Sequence, residues 1–262
     1  MKTCGGLLAL LRKELTIYFT GPIFYITGFF FLLLAGYFFY TNTIYYGLIS
    51  LQGAQQASNP QVAAQLNPQM MIYRPLFAVL AIIMLFLVPL LTMRLLAEEK
   101  RSGTSELLFT YPISDWSIIL GKFGAALLVY LIFLAFTVCY SFALGFMTRL
   151  DWGALAAGYL GLILLGAAFL ALGLFASSLT ENQIIAGVVA FALLLLFWII
   201  GWVQELGAGT IGRIMQYLSL LDHYENFTKG VINTRDLVYC GSFIFFFLFL
   251  TKRQLESRRW RA

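Results

Sequence analysis

Five stretches of this chain carry no charged residue, and each is about as long as a lipid bilayer is thick; that feature limits its possible folds more than any motif does. A hydrocarbon core of about 30 Å takes about 20 apolar residues of helix. The stretches are 22–40, 75–93, 123–147, 152–176 and 184–203. A sixth run, 237–251, holds only 15 residues, about 22 Å of helix. Its flanks extend it to 235–252: Thr234 can cap its start, Asp236 suits a first turn, and Lys252 and Arg253 can reach the interface. Continuous apolar runs, unlike alternating ones, span lipid as helices, because only a helix satisfies its backbone polar groups within one segment. The sequence therefore predicts an all-α integral membrane protein with six transmembrane helices, folded as one domain over 1–262.

Composition agrees: 61% of the residues are hydrophobic and 11% charged, against roughly 25% charged in a soluble domain. The pI near 9.1 does not indicate nucleic acid as a partner, because the 17 Lys and Arg sit in short clusters between the apolar runs. Their distribution sets an orientation. With the N-terminus in the cytoplasm, twelve of them fall on the cytoplasmic side and five (Arg74, Arg149, Arg213, Lys229 and Arg235) outside. Both termini are thus expected in the cytoplasm. Residues 1–21 break their apolar run at Arg12, Lys13 and Glu14, too early for a signal peptide. Leu7, Leu8, Leu11, Leu15, Tyr18 and Phe19 share a face, as in a helix lying in the membrane interface.

The apolar runs contain no Asp, Glu, Lys, Arg or His. Ion-coupled carriers usually keep such a group inside the bilayer to bind and release the coupling ion. An ion-coupled secondary carrier or channel is accordingly the second reading. A membrane-bound enzyme is the third, resting on the single histidine, His223, beside Asp222 and Glu225. Neither HExxH, GxSxG nor GxxxxGK[ST] occurs, so no metal site, catalytic residue or nucleotide site is expected on this chain. Three cysteines and one histidine, with no pair at ligand spacing, point the same way.

Between the second and third spans, the loop 94–122 is densely charged yet keeps helix order. Gly103 can end the helix leaving the second span, Thr104 can cap a short new helix containing Leu107 and Leu108, and Pro112 can stop it. Ser114 is a second cap. The string AEEKRSGTSELLFTYPIS (97–114), the LGK at 120–122, SSLTENQ at 177–183, DHYENFTKGVINTRDLVY at 222–239 and LESRRW at 255–260 together resemble the type-2 ABC exporter permeases, in particular the gliding-motility-type subfamily. The resemblance covers essentially the whole chain.

That resemblance implies a permease subunit in a bacterial inner membrane, moving cargo outward with energy from a separate ABC ATPase. Two ATPase copies would hold ATP and magnesium, leaving no cofactor on this chain. The partner permease would be a second copy or a paralogue, with a possible auxiliary subunit carrying an extracytoplasmic domain. A cytoplasmic coupling helix would dock on the ATPase through Glu98, Glu99, Arg101, Gly103, Thr104, Glu106, Leu107, Leu108 and Pro112. The turn with Glu181, Asn182 and Gln183 is either a second contact or a helix-capping turn. Relatives also dip a short re-entrant helical segment into the membrane before the last span, and Ile211, Ile214, Met215, Leu218 and Leu221 here have helical spacing. Residues 41–74 read as a polar loop. Gly153, Ala157 and Gly161 would let the fourth span approach another helix closely.

Overall fold

The computed structural model describes residues 2–55, 67–103, 114–146, 148, 150–200 and 217–259, which are helical with no strand among them. In chain order the helices are α1 (Lys2–Thr20), α2 (Pro22–Gln55), a π-helical turn (Gln69–Tyr73), α3 (Arg74–Thr92), α4 (Ala97–Arg101), α5 (Asp115–Gly145), α6 (Trp152–Leu179), α7 (Gln183–Ile199), α8 (Leu220–Thr228) and α9 (Thr234–Arg259). Short polar residues set four of the starts. Ser114 accepts from the Ser117 amide, Asp151 from Gly153 and Ala154, Asn182 from Ile184 and Ser219 from Asp222, each satisfying amides that a helix start leaves without partners. Gly21 closes α1, its amide reaching the carbonyls of Ile17 and Tyr18, and Pro22 opens α2. Gly103, at φ +70°, ends α4 as its position in the sequence suggests.

Five segments are long and apolar enough to cross a membrane: Pro22–Gln52, Gln69–Arg101, Asp115–Gly145, Trp152–Leu179 and Thr234–Ser257. The final segment is not of marginal length. The final helix gains residues at both ends and reaches 26, with Thr234 as its first residue rather than its cap. The described part of the fifth run is the 17-residue helix α7, about 26 Å long. Two other boundaries move. Residues 41–55, expected in a loop, continue α2 to 34 residues, because Ile44, Tyr45, Leu48 and Leu51 keep the segment apolar. Asn42 ties this extension to the π-helical turn by donating to the Ile72 carbonyl at 3.3 Å. And α5 begins at Asp115, which draws Lys122 into a buried position on a membrane-length helix.

The core is organised around α6. Its small residues sit where a side chain has no room: a Cβ on Gly158 would lie 2.1 Å from the Phe77 ring, on Gly166 2.1 Å from Tyr130, on Gly173 2.3 Å from Thr92, and on Gly161 2.4 Å from Phe227. The close approach therefore serves packing inside the chain, onto α3, α5 and α8. Gly153, at the exposed start of α6, does not share it. Buried tyrosines cross the same contacts by donating to backbone carbonyls, Tyr130 to Leu162 at 2.6 Å and Tyr224 to Phe77 at 2.9 Å. By contrast α2 is peripheral, with Phe29 and Phe30 exposed, while Phe31 and Phe39 turn inward to stack on Phe133 and Tyr140.

Two amphipathic faces differ from expectation. On α1 the buried positions are Leu10, packed on Gly121 of α5, and Glu14, whereas Leu8 and Phe19 are exposed. The helix is turned because Glu14 has an ionic partner beneath it. Ahead of α9, residues 211–216 lie outside the described residues. Leu218 is 42% exposed, and α8 buries Leu220, His223, Tyr224 and Phe227 instead. The Ser219 cap starts a new helix there and resets the register.

Candidate coupling site

α3 closes at Thr92, with Pro89 in its last turn lacking an amide to donate. The chain then turns through Met93–Leu96 before α4 begins. Ser177, near the end of α6, holds this corner with one hydroxyl: it donates to the Met93 carbonyl at 3.2 Å and accepts from the amides of Leu96 and Ala97, both at 3.1 Å. A hydroxyl has one proton and two lone pairs, so all three are used. Lys100 adds a bond from its ammonium to the Ser178 carbonyl.

The charges of α4 are wired in the same way. Glu99 Oε1 lies 3.0 Å from the ammonium of Lys122 on α5 and 3.3 Å from that of Lys13 on α1. Lys122 also meets Glu14 Oε1 at 2.8 Å, and both of those side chains are buried, at 1% and 6% exposure. Arg94 grips Glu98 with two bonds, Nε to Oε2 at 2.9 Å and Nη2 to Oε1 at 3.1 Å. Tyr18 of α1 donates its hydroxyl to the Leu91 carbonyl at 2.8 Å. α4 is therefore fastened to α1, α5 and α6 at once. A lysine buried between two carboxylates is costly to separate from either, since a lone charge would be left without solvent.

Glu98 and Glu99 thus belong to this network, and Arg101 and Gly103 project from its exposed end. Thr104, Glu106, Leu107, Leu108 and Pro112 lie outside the described residues. The corner with Glu181, Asn182 and Gln183 is brought to the same end of the bundle, three residues beyond the Ser178 carbonyl that Lys100 engages. Asn182 caps α7 with its side chain, while Glu181 and Asn182 are both exposed. The sequence reading passed over Glu14, Lys122 and Ser177. A carboxylate at position 14, in helical register with Leu10 and Tyr18, was the available signal.

At the opposite end, His223 Nδ1 lies 2.6 Å from Asp236 Oδ1 and its Nε2 lies 3.1 Å from the Tyr217 carbonyl. Asn226 donates to the second Asp236 oxygen at 2.9 Å, and the Tyr239 ring stacks on the imidazole at 4.0 Å. Nδ1 thus holds α8 to α9, while Nε2 ties α8 to the residues just before it. Outside this knot Glu225 pairs with Arg74 at 2.6 Å and Lys229 at 3.2 Å. Its burial raises the carboxyl's affinity for a proton, but these two cations outweigh that and hold it below the usual glutamate value. Among the described residues no three His, Cys, Asp or Glu come together as metal ligands.

An all-helical bundle with membrane-length helices and a firmly anchored polar corner is what a transporter's membrane component needs. No curated protein matches the chain. Residues 8–250, nearly its whole length, match the family model of the ABC-2 family transporter proteins, and the chain therefore belongs to the ABC-2 transporter family as a membrane component.

Proposed function

We propose that this chain is the permease subunit of an ATP-driven exporter of the gliding-motility type, and that it couples to a separate ATPase through the loop 94–122. The observation that carries the proposal is the anchoring of α4. A lever that transmits closure of an ATPase dimer must not bend at its root, and the root here is held by Ser177, Lys100 and the Glu14–Lys122–Glu99 network. Force arriving at Arg101 and Gly103 would pass into α1, α5 and α6 together. In this reading α7 is the sixth membrane crossing, and both termini are cytoplasmic in an inner membrane. Two chains, or this chain and a paralogue, form the pathway over two ATPase copies that bind ATP and magnesium. An auxiliary extracytoplasmic subunit fits the small size of the outer loops.

The test is to purify the tagged protein in mild detergent, identify the chains that accompany it and measure ATP hydrolysis, with Glu106→Arg and Arg101→Glu alongside. An ATPase near one-to-one, lost or uncoupled in the variants, is the expected result. A chain that emerges alone under several gentle detergents would overturn the coupling mechanism. The ion-coupled carrier reading gains one specific candidate from the structure, the buried Lys122. In that case transport would follow an ion gradient and Lys122→Met would abolish the dependence.

A further inference from the structure

A cavity of about 290 Å³ opens between α1, the start of α2 and the α3–α4 corner. Its walls are of two kinds. Ile17, Phe24 and Leu90 form an apolar side, and Lys13, Arg94 and Glu98 form the part of the charged side most open to the surroundings, with side-chain exposures of 53%, 32% and 43%. Gly21, at the α1–α2 corner, has no side chain to narrow the space: a Cβ there would sit 3.9 Å from the Arg94 guanidinium. We propose that this cavity binds the headgroup of a zwitterionic glycerophospholipid bearing a primary amine, such as phosphatidylethanolamine.

Three observations carry the assignment. The volume is at the low end for a ligand site, enough for a headgroup but not for a whole lipid. The apolar side continues along α3 as an exposed stripe, Ile82, Phe86 and Leu90, spaced four residues apart on one helix face. Acyl chains anchored in the cavity would lie along that stripe. Finally, the lining charges balance: Lys13, Arg94 and Lys122 are matched by Glu14, Glu98 and Glu99. A purely anionic ligand needs a surplus of cations, whereas a phosphate beside an ammonium complements a balanced set. The Arg94 fork suits the phosphate, and the Glu98 carboxylate suits an ammonium that has N–H groups to donate. The Arg94–Glu98 pair is partly exposed, so solvent and the two headgroup charges together offset the loss of its two bonds when it opens. A quaternary choline has no N–H to offer Glu98. The site rests on this geometry alone and stands whether or not α4 docks an ATPase.

The experiment uses the full-length chain, purified and stripped of lipid, titrated with short-chain phosphatidylethanolamine, phosphatidylglycerol and phosphatidylcholine and followed by native mass spectrometry. One phosphatidylethanolamine per chain is expected, preferred by about tenfold over the other two. Arg94→Gln should weaken it by about tenfold. Glu98→Gln should erase the preference over phosphatidylcholine. Leu90→Trp, which fills the apolar wall and leaves every charge in place, should lower binding of all three. Equal binding of the three lipids would overturn the proposal, as would binding unmoved by both Arg94→Gln and Leu90→Trp. Soluble glycerophosphoethanolamine binding as tightly as the lipid would also overturn it, by showing a site for a free phosphoamine.

Discussion

The two ends of the bundle each bury a polar cluster, and they are built differently. At the α4 end one lysine on α5 holds two carboxylates, one from α1 and one from α4, and Glu14 and Lys122 stand 108 positions apart in the chain. At the α8 end the His223–Asp236 pair joins neighbouring helices only 13 positions apart and is reinforced by Asn226 and the Tyr239 ring. The first arrangement makes distant segments move together. The second makes a local clasp. A displacement of α4 thus reaches α1, α5 and α6 through charge pairs and the Ser177 bonds, whereas α8 meets α6 and α3 mainly by packing at Gly161 and the Tyr224–Phe77 bond, and α9 through the clasp.

The largest effect should come from cutting the long-range cluster. Lys122→Met leaves the buried Glu14 without its cation and beside Glu99, and should cost about 3–5 kcal/mol of stability, read from unfolding in detergent. The double variant Glu14→Met with Lys122→Met should recover most of that loss, because no buried charge is left alone. A single variant costing under about 1 kcal/mol, as exposed pairs do, would show that the α4 end is no more tightly tied than the surface.

Ser177→Ala should rank next. It leaves the buried amides of Leu96 and Ala97 without their acceptor, for about 2 kcal/mol, and hydrogen exchange at those two amides should rise. Asp236→Asn tests the opposite end. It keeps the shape of the clasp and removes its charge, so a loss of about 1–2 kcal/mol is expected, confined to protection of α8 and the start of α9. Spread of that effect to α1 or α5 would erase the contrast between the ends.

The smallest effect belongs to Glu225→Gln, at about 0–1 kcal/mol, because Arg74 and Glu225 are 40% and 49% exposed and solvent screens the pair. Its pH dependence has a definite sign. Glu225 is held below the ordinary glutamate value of 4.5, so its contribution is fully present above that pH and is lost as pH falls through the lower folded value. The difference in melting temperature between Glu225→Gln and the parent should therefore vanish on the acid side of pH 4.5.

Much of the fold was legible in the runs of uncharged residues, since expelling charge from lipid leaves a mark in one dimension. Capping was legible too, at Ser114, Asn182 and Gly103, because a cap depends on residues a few positions away. Errors arose where a long-range contact, or a cap not picked out, overruled the simple periodicity. α1 is turned by Glu14 meeting Lys122, and α8 starts its own register at Ser219, so Leu218 is not on the buried face. Glu98, Glu99, Arg101 and Gly103 were picked out from one loop, but what holds the first two in place was not, because Ser177 and Lys122 are remote in sequence.

The sequence by itself determined an all-helical membrane protein, the order of its apolar segments and the polar corner between the second and third, because each of these follows from transfer of a contiguous segment into lipid. Only the tertiary structure decided that α6 is the hub, that Lys122 is buried between Glu14 and Glu99, and that a charge-balanced cavity lies beside the α3–α4 corner. Those features depend on which helix faces meet, and that is settled by close packing and charge pairing between residues that no local pattern connects.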